Sequence, residues 1–431
     1  MNRAMIPQVS LSTAARMTGD PPISDLMQQA LANPGLISLA AGFVDVATLP
    51  VEATARAVGA ILAEPAEGRR ALQYGTTVGD LGLRNLLVAR LEQEEGVPPG
   101  GFGAVLPRTV VTTGSQQLLY LVAEALLDPG DIVLVEAPTY FVFTGLLESR
   151  GARAIGVETD EGGLRLDALE ATLAAIEARG ELDRVKLIYT VSEHSNPTGL
   201  SLAADRRGPL VELARRWSKE SWIFILEDAA YRGLTFSGPE PPSVWRYDAE
   251  GQTVILARTF SKTFSPGLKT GFGVLPEALV GPVLALKGNH DFGSGNFNQL
   301  VLARLLADGG YDRQVERLRA TYRRKRDVLV GALGEHFGGI DGVAWTHPRG
   351  GLYVWLTVPE GLDTGRAGPV FARALERGVL YVPGAYAYPE GPRPVPTNHI
   401  RLCYGVPGEA ELAEGVRRLA AALTHCLVPV A

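Results

Sequence analysis

Seven short apolar runs, separated by helix-length segments, limit what this chain can fold into. They are "RTVVTT" (108–113), "DIVLVE" (131–136), "ARAIGV" (152–157), "VKLIYTV" (185–191), "WIFILED" (222–228), "TVILAR" (253–258) and "TGFGVL" (270–275). Several are nearly continuous instead of alternating, which marks strands covered on both faces, as in parallel sheets. Between them, Gln116–Leu127, Asp167–Ala178 and Asp205–Ser218 read as helices. This rhythm predicts an α/β fold whose large domain, residues 50–299, holds a mainly parallel seven-stranded sheet. After Gln299 a long charged helical stretch runs to about residue 337 and leads into "GVAWT", "GGLYVWLTV", "GVLYVP" and "NHIRLCY". With helices at Gly368–Arg377 and Glu409–Leu423, these predict a smaller α+β domain over 300–431. Residues 1–49 are too few for a domain and are expected to pack on the smaller one.

Charge and cysteine content exclude several classes. A net charge of -6 over 431 residues gives no general attraction to nucleic acid or to an anionic membrane. The arginine-rich run "RLRATYRRKRD" (317–327) has Leu318, Tyr322, Val328 and Leu329 interleaved or just beyond it, and reads as the wet face of an amphipathic helix. Two cysteines, Cys403 and Cys426, form neither a disulfide framework nor a metal-ligand spacing. The N-terminus lacks a signal-peptide core, and Leu26–Val44 is broken by Gln28, Gln29, Asn33, Pro34 and Gly35, so no membrane span is expected. A cytoplasmic protein fits these features.

In open parallel sheets, ligands bind beyond the carboxyl ends of the strands. After "TVVTT" come Gly114, Ser115 and Gln116, which make either an anion site at a helix start or a plain cap. After "DIVLVE", "APTYF" places Tyr140 on a loop. After "VKLIYTV" comes "SEHSNPTG", with a turn at Asn196-Pro197; His194 there is given no role. After "WIFIL" come Glu227 and Asp228, carboxylates at a buried strand end that need a cationic partner, with Tyr231 three residues on. They have no His or Cys beside them to complete a metal site. After "TVILA" come Thr259, Ser261, Lys262 and Lys269. The chain holds six lysines against thirty-five arginines, so two of them in one loop carry weight. Arginine keeps its proton, whereas a desolvated lysine can lose its own and form an imine. No P-loop, G-x-G-x-x-G, G-x-S-x-G or H-E-x-x-H occurs where it would need to be. Five such strand ends point to one cleft for a ligand that is anionic, aromatic and protonatable.

Taken in order, "TTGSQQ", "APTY", "NPTG", "EDAAY", "TFSKTFSPGLKTGF" and "NHIRL" resemble fold-type I pyridoxal-phosphate enzymes. The nearest likeness is to class I/II aminotransferases, in the branch of aminoadipate- and kynurenine-type transaminases and the C-terminal domains of MocR regulators. "LISLAAG", "LQYGTTVGDLGLR" and "HPRGGLYVWL" extend it across most of the chain. The resemblance implies an aspartate-aminotransferase-like fold, pyridoxal 5'-phosphate as cofactor, and amino-group exchange between an α-amino acid and a 2-oxo acid. Lys262 would form the Schiff base, with pyridoxamine phosphate as the intermediate. Asp228 would pair with the pyridinium nitrogen, Tyr140 would stack on the ring, and Asn196 and Tyr231 would bond its phenolic oxygen. Ser115, Gln116, Thr259, Ser261 and Lys269 would hold the phosphate. Tyr74 would reach the neighbouring subunit's phosphate in a homodimer. Arg401 would grip the substrate carboxylate, with Gly42 and Asn196 beside it.

Three positions depart from the family pattern: Thr259 stands where Ser is usual, Lys269 where Arg is usual, and Ser24 where aminoadipate-type members carry Arg. Ser24 suggests an apolar or aromatic second substrate, with glutamate as one amino donor. Another pyridoxal-phosphate reaction (β-lyase, decarboxylase or cyclase) is the alternative. The motifs begin near Leu36 and the charge is acidic, so neither a DNA-binding regulator nor a nucleic-acid partner is expected.

Overall fold

The computed structural model describes residues 9–19, 22–33, 35–389 and 394–427. Parts of the expected N-terminal segment, residues 1–8, 20, 21 and 34, lie outside the described residues. Among the described residues, fourteen strands follow in chain order: β1 (Ile37–Ser38), β2 (Thr109–Thr112), β3 (Ile132–Ala137), β4 (Arg153–Asp160), β5 (Gly163–Leu164), β6 (Val185–Thr190), β7 (Phe224–Asp228), β8 (Val254–Thr259), β9 (Gly271–Val274), β10 (Ala344–Trp345), β11 (Tyr353–Thr357), β12 (Val379–Leu380), β13 (Val382–Pro383) and β14 (His399–Cys403). The large sheet has the order β2-β9-β8-β7-β6-β3-β4-β5. Its centre is parallel from β4 through β3, β6 and β7 to β8, while β9 runs antiparallel to both neighbours. The seven expected strands are all present. The eighth, β5, turns back on the end of β4 for two residues, too few to leave a hydrophobic pattern in the sequence.

Continuous apolar runs have a direct structural cause here. Val133, Val135, Leu187, Tyr189, Leu226 and Ala257 point into one core, whereas Ile132, Leu134, Ile188, Ile225, Val254 and Leu256 point into the other. Side chains alternate faces along a strand, so a sheet with helices on both sides needs an apolar residue at every position. Each aliphatic side chain so buried contributes roughly 1.5–3 kcal/mol.

A second sheet, β10-β11-β14-β13, is antiparallel throughout and aligns Trp355 with Arg401 and Tyr353 with Cys403. β1 pairs with β12, and the Cys403 amide donates to the Leu39 carbonyl. The following loop docks on the long helix Gly310–Phe337. There the Asp45 amide donates to Tyr322 Oη at 3.1 Å, and Lys325 Nζ lies 3.2 Å from Asp45 Oδ1.

The arginine run lies on that helix but is not simply its wet face. Arg319, Arg323 and Arg326, spaced as one helical stripe, donate to the carbonyls of Gly233, Phe236 and Pro348 respectively. The stripe fastens the loop after Tyr231 to the helix, a use invisible in a pattern of charge and hydropathy. Among the described residues, no helix is long and apolar enough to cross a membrane.

One close contact holds β9 against the start of helix Gly114–Leu126. A Cβ at Gly271 would fall 2.7 Å from the Gly114 carbonyl carbon and 2.8 Å from the Ser115 nitrogen, both backbone atoms that cannot yield cheaply. Gly271→Ala is expected to cost about 2 kcal/mol, as overpacked sites do, read as a lower urea midpoint. An unchanged midpoint would contradict this packing.

Candidate active site

The parallel strands end on one edge of the large sheet, and most of the predicted residues, though not Gly42, Tyr74 or Arg401, lie at or beyond those ends. At the close of β2, Gly114 takes a left-handed conformation (φ 72°) that turns the chain into a helix. That helix start has no side-chain cap, so its first amides, including those of Ser115 and Gln116, have no partner within the helix. Thr259 closes β8 close by: a Cβ on Gly114 would be 3.9 Å from Thr259 Oγ1. Thr259 Oγ1 lies 3.0 Å from Ser261 Oγ and accepts from the Ser261 amide at 3.2 Å. Free helix amides and paired hydroxyls form a cradle suited to an anion such as phosphate. Lys269 follows a short helical turn in a left-handed conformation (φ 49°, ψ 37°), exposed and without an ion-pair partner among the described residues.

Asp228 and Glu227 part company at the end of β7. Glu227 accepts from the Val244 and Trp245 amides at 2.9 and 2.8 Å, on the face away from Asp228, so the two acids do not form a joint cation site. Asp228 is buried; its Oδ2 accepts from the Tyr189 hydroxyl at 3.0 Å, while Oδ1 has no hydrogen-bond partner. Burial pushes its carboxyl up to about 6, against the hydrogen bonds of Tyr189 and the Ala230 amide and the attraction of the nearby Lys262 amine. A buried carboxylate oxygen left unpaired is costly. A protonated aromatic nitrogen is the kind of partner that meets the need.

Lys262 Nζ donates to the Gly42 carbonyl at 2.9 Å. Burial, reinforced by the Arg401 guanidinium, brings this amine below the ordinary lysine range despite the opposing pull of Cys403 and Asp228. Tyr140 is the residue before helix Phe141–Ser149, and burial together with Asp228 raises its phenol, so it stays protonated. Tyr231 is raised in the same way by burial and by Tyr353, to whose hydroxyl it donates at 3.1 Å.

Arg401, on β14, is fixed at both ends of its fork. Nη1 donates to Asn196 Oδ1 at 2.8 Å and Nη2 to the Ala40 carbonyl at 2.7 Å, while the buried Nε is unpartnered. Its guanidinium carbon sits 4.7 Å from the Tyr353 ring centre and 5.5 Å from that of Phe141. Gly42 is small for a reason: a Cβ there would come within 2.6 Å of the Tyr353 hydroxyl.

The structure thus gathers Lys262, Asp228, Tyr231, Asn196, Arg401, Gly42 and Tyr140 in one group, with Ser115, Thr259 and Ser261 in the neighbouring cradle. Tyr74 is not among them. It is 82% exposed and meets the Phe292 ring edge-on at 5.6 Å. Sequence reading missed Tyr189 and Tyr353. Each is a phenol inside a run otherwise read only as strand, which is a signal, but its partner lies 39 or 122 residues away.

A desolvated amine beside an unpaired carboxylate and an anion cradle is the chemistry of a pyridoxal 5'-phosphate enzyme of fold type I. The family model for aminotransferases of class I and II matches residues 34–419, and the chain belongs to that family. It is 35% identical to a 2-aminoadipate transaminase of Thermus thermophilus over 92% of each chain. It is 32% identical to an aromatic-amino-acid aminotransferase of Thermococcus litoralis, over 89% of this chain and 87% of that one. Among solved structures, a kynurenine aminotransferase of Pyrococcus horikoshii, in complex with PMP, matches with a TM-score of 0.88 and 31% identity, over 97% of this chain and 98% of that one. The protein is an aminotransferase, its cofactor is pyridoxal 5'-phosphate, and these likenesses support transamination over the other reaction classes.

The state of Asp228 sets a pH dependence for the cofactor-free protein. Its native carboxyl titrates near 6, above an unfolded value of about 3.9, so the native state binds the proton more tightly and stability falls as pH rises between the two. Asp228→Asn removes that penalty. The cofactor-free variant is expected to exceed wild type in urea by about 3 kcal/mol at pH 8 and to come close to it near pH 4; a variant less stable at pH 8 would contradict the carboxyl's assignment.

Proposed function

We propose that this chain exchanges amino groups between an aromatic or other apolar α-amino acid and a 2-oxo acid, as a cytoplasmic homodimer whose active sites each draw a tyrosine from the partner subunit. The observation that carries the reading is the pairing of a buried, partnerless Asp228 oxygen with the desolvated Lys262 amine nearby. When bound, the cofactor supplies an electron sink for charge developing at the substrate Cα.

The protein's own groups divide the remaining work. Lys262 Nζ would hold the cofactor and serve as the base toward the substrate Cα proton; its burial favours the neutral amine that a base requires. The Asp228 carboxylate would keep the ring nitrogen protonated. Asn196 and Tyr231 would hydrogen-bond the phenolic oxygen, and Tyr140 would cover the ring. The amides of Ser115 and Gln116 would hold the phosphate with Thr259, Ser261 and Lys269. Lys269 acts as a point charge at the exposed rim, without the fork of an arginine. Arg401, held by Asn196 and Ala40 between two aromatic rings, presents a fixed guanidinium to the substrate α-carboxylate.

An aromatic or apolar substrate is supported by the rings near Arg401. Phe141 and Tyr386 lie 6.4 Å apart, as do Trp355 and Tyr388. Ser24, exposed on helix Pro22–Ala32, offers no cation to an acidic side chain. The aromatic-amino-acid and kynurenine enzymes among the similar proteins agree with this. The dimer is supported by Tyr74 and Phe292, large rings packed on each other yet 82% and 59% exposed, as a covered surface would be in a lone chain.

Lys262→Ala is expected to abolish turnover and to leave no cofactor mass on the protein after borohydride reduction; a variant that keeps the adduct places the covalent link elsewhere. For the dimer, sedimentation is expected to give twice the chain mass, and Tyr74→Phe to weaken cofactor binding by about tenfold while leaving the dimer intact. A monomer of full activity would contradict it.

A further inference from the structure

We propose that Tyr189 is a positioning residue for the cofactor's ring nitrogen, acting through Asp228. The proposal rests on the reading of Asp228 given above. Tyr189 lies on β6 directly opposite Leu226 of β7 and Val135 of β3, with no exposed surface. Its ring stacks on Phe143 at 4.0 Å and 25°, which fixes where the hydroxyl points. That hydroxyl donates to Asp228 Oδ2 at 3.0 Å, and Oδ1 is left as the free oxygen.

Several other groups act on Asp228. The Ala230 amide favours its charged form, and Lys262 attracts its charge. Glu193 repels its charge. The Tyr140 phenol and the Glu136 carboxyl, the latter bonded by the Thr190 hydroxyl and the Val191 amide, also lie near it, but the phenol is held neutral and burial pushes Glu136 itself up to about 7. Burial and the Glu193 charge therefore favour the neutral acid, which cannot hold a ring nitrogen in its protonated form. A donor to the charged carboxylate works against them. Tyr189 is the side chain in the described structure that donates such a bond. By occupying one oxygen it also fixes the carboxyl's orientation, as outer partners orient metal ligands. A purely structural phenol would need only shape, and phenylalanine would fill the same space.

Tyr189→Phe removes the hydroxyl and keeps the ring on Phe143. In the holoenzyme this variant is expected to bind pyridoxal 5'-phosphate about tenfold more weakly by equilibrium dialysis, and the ring-nitrogen 15N resonance should move toward the unprotonated position. Added to Asp228→Asn, the same change should have no further effect on either signal. Phe143→Leu, which loosens the stack but keeps the hydroxyl, should lower the melting temperature without moving the resonance. If Asp228→Asn shifts both signals while Tyr189→Phe leaves both as in wild type, the role of Tyr189 is overturned and that of Asp228 stands. If Asp228→Asn shifts neither, both fall. A resonance moved as far by Phe143→Leu as by Tyr189→Phe also overturns the proposal, because packing would then be the cause.

Discussion

The whole arrangement depends on the two-sided burial of a parallel sheet. With helices on both faces, neighbouring residues at a strand end must go to opposite sides, and the chain uses each side for a different task. Asp228 stands with Lys262, while Glu227 turns away to bind two backbone amides. Thr259 joins the anion cradle, while Arg258, one residue earlier, pairs with Glu94 at 2.8 Å on the far face. Tyr231 meets Tyr353, while Arg232 pairs with Glu193 and Glu95 at 2.9 and 2.8 Å.

Behind the site these far-face charges form a buried network that also includes Arg207, 2.8 Å from Glu193. Buried ion pairs of this kind add little net stability, because desolvation offsets their attraction. Breaking one leaves a lone charge in the interior, so the network holds the loops after β6 and β7 and the end of β8 in one register. The reactive groups inherit their positions from it. The second sheet adds Arg401 and Tyr353 from the other side, and the segment from Leu39 to Asp45 is tied to that sheet and its long helix.

How much of this could be read beforehand follows from the range of each interaction. Seven strands were legible because two-sided burial writes itself as unbroken apolar runs, and the strand-end residues were legible because polar groups there need a reason. β5 was not, since two residues carry no pattern. The bond from Tyr189 to Asp228, the meeting of Tyr231 with Tyr353, and the clamp made by Arg319, Arg323 and Arg326 were also hidden. Each joins residues dozens to more than a hundred positions apart, and each looks locally like an ordinary core or surface residue. Tyr74 is a different case, exposed and packed edge-on against Phe292, apart from the gathered site residues.

The central claim is that Lys262, Asp228 and Arg401 carry a two-stage amino transfer on an aromatic substrate, and a single-turnover measurement tests it most directly. Holoenzyme mixed with phenylalanine, and no acceptor, should release one equivalent of the corresponding 2-oxo acid per subunit and then stop, resuming only when a second 2-oxo acid is added. Release of no 2-oxo acid from phenylalanine or any other amino acid would contradict the account, and so would continuous release without an acceptor.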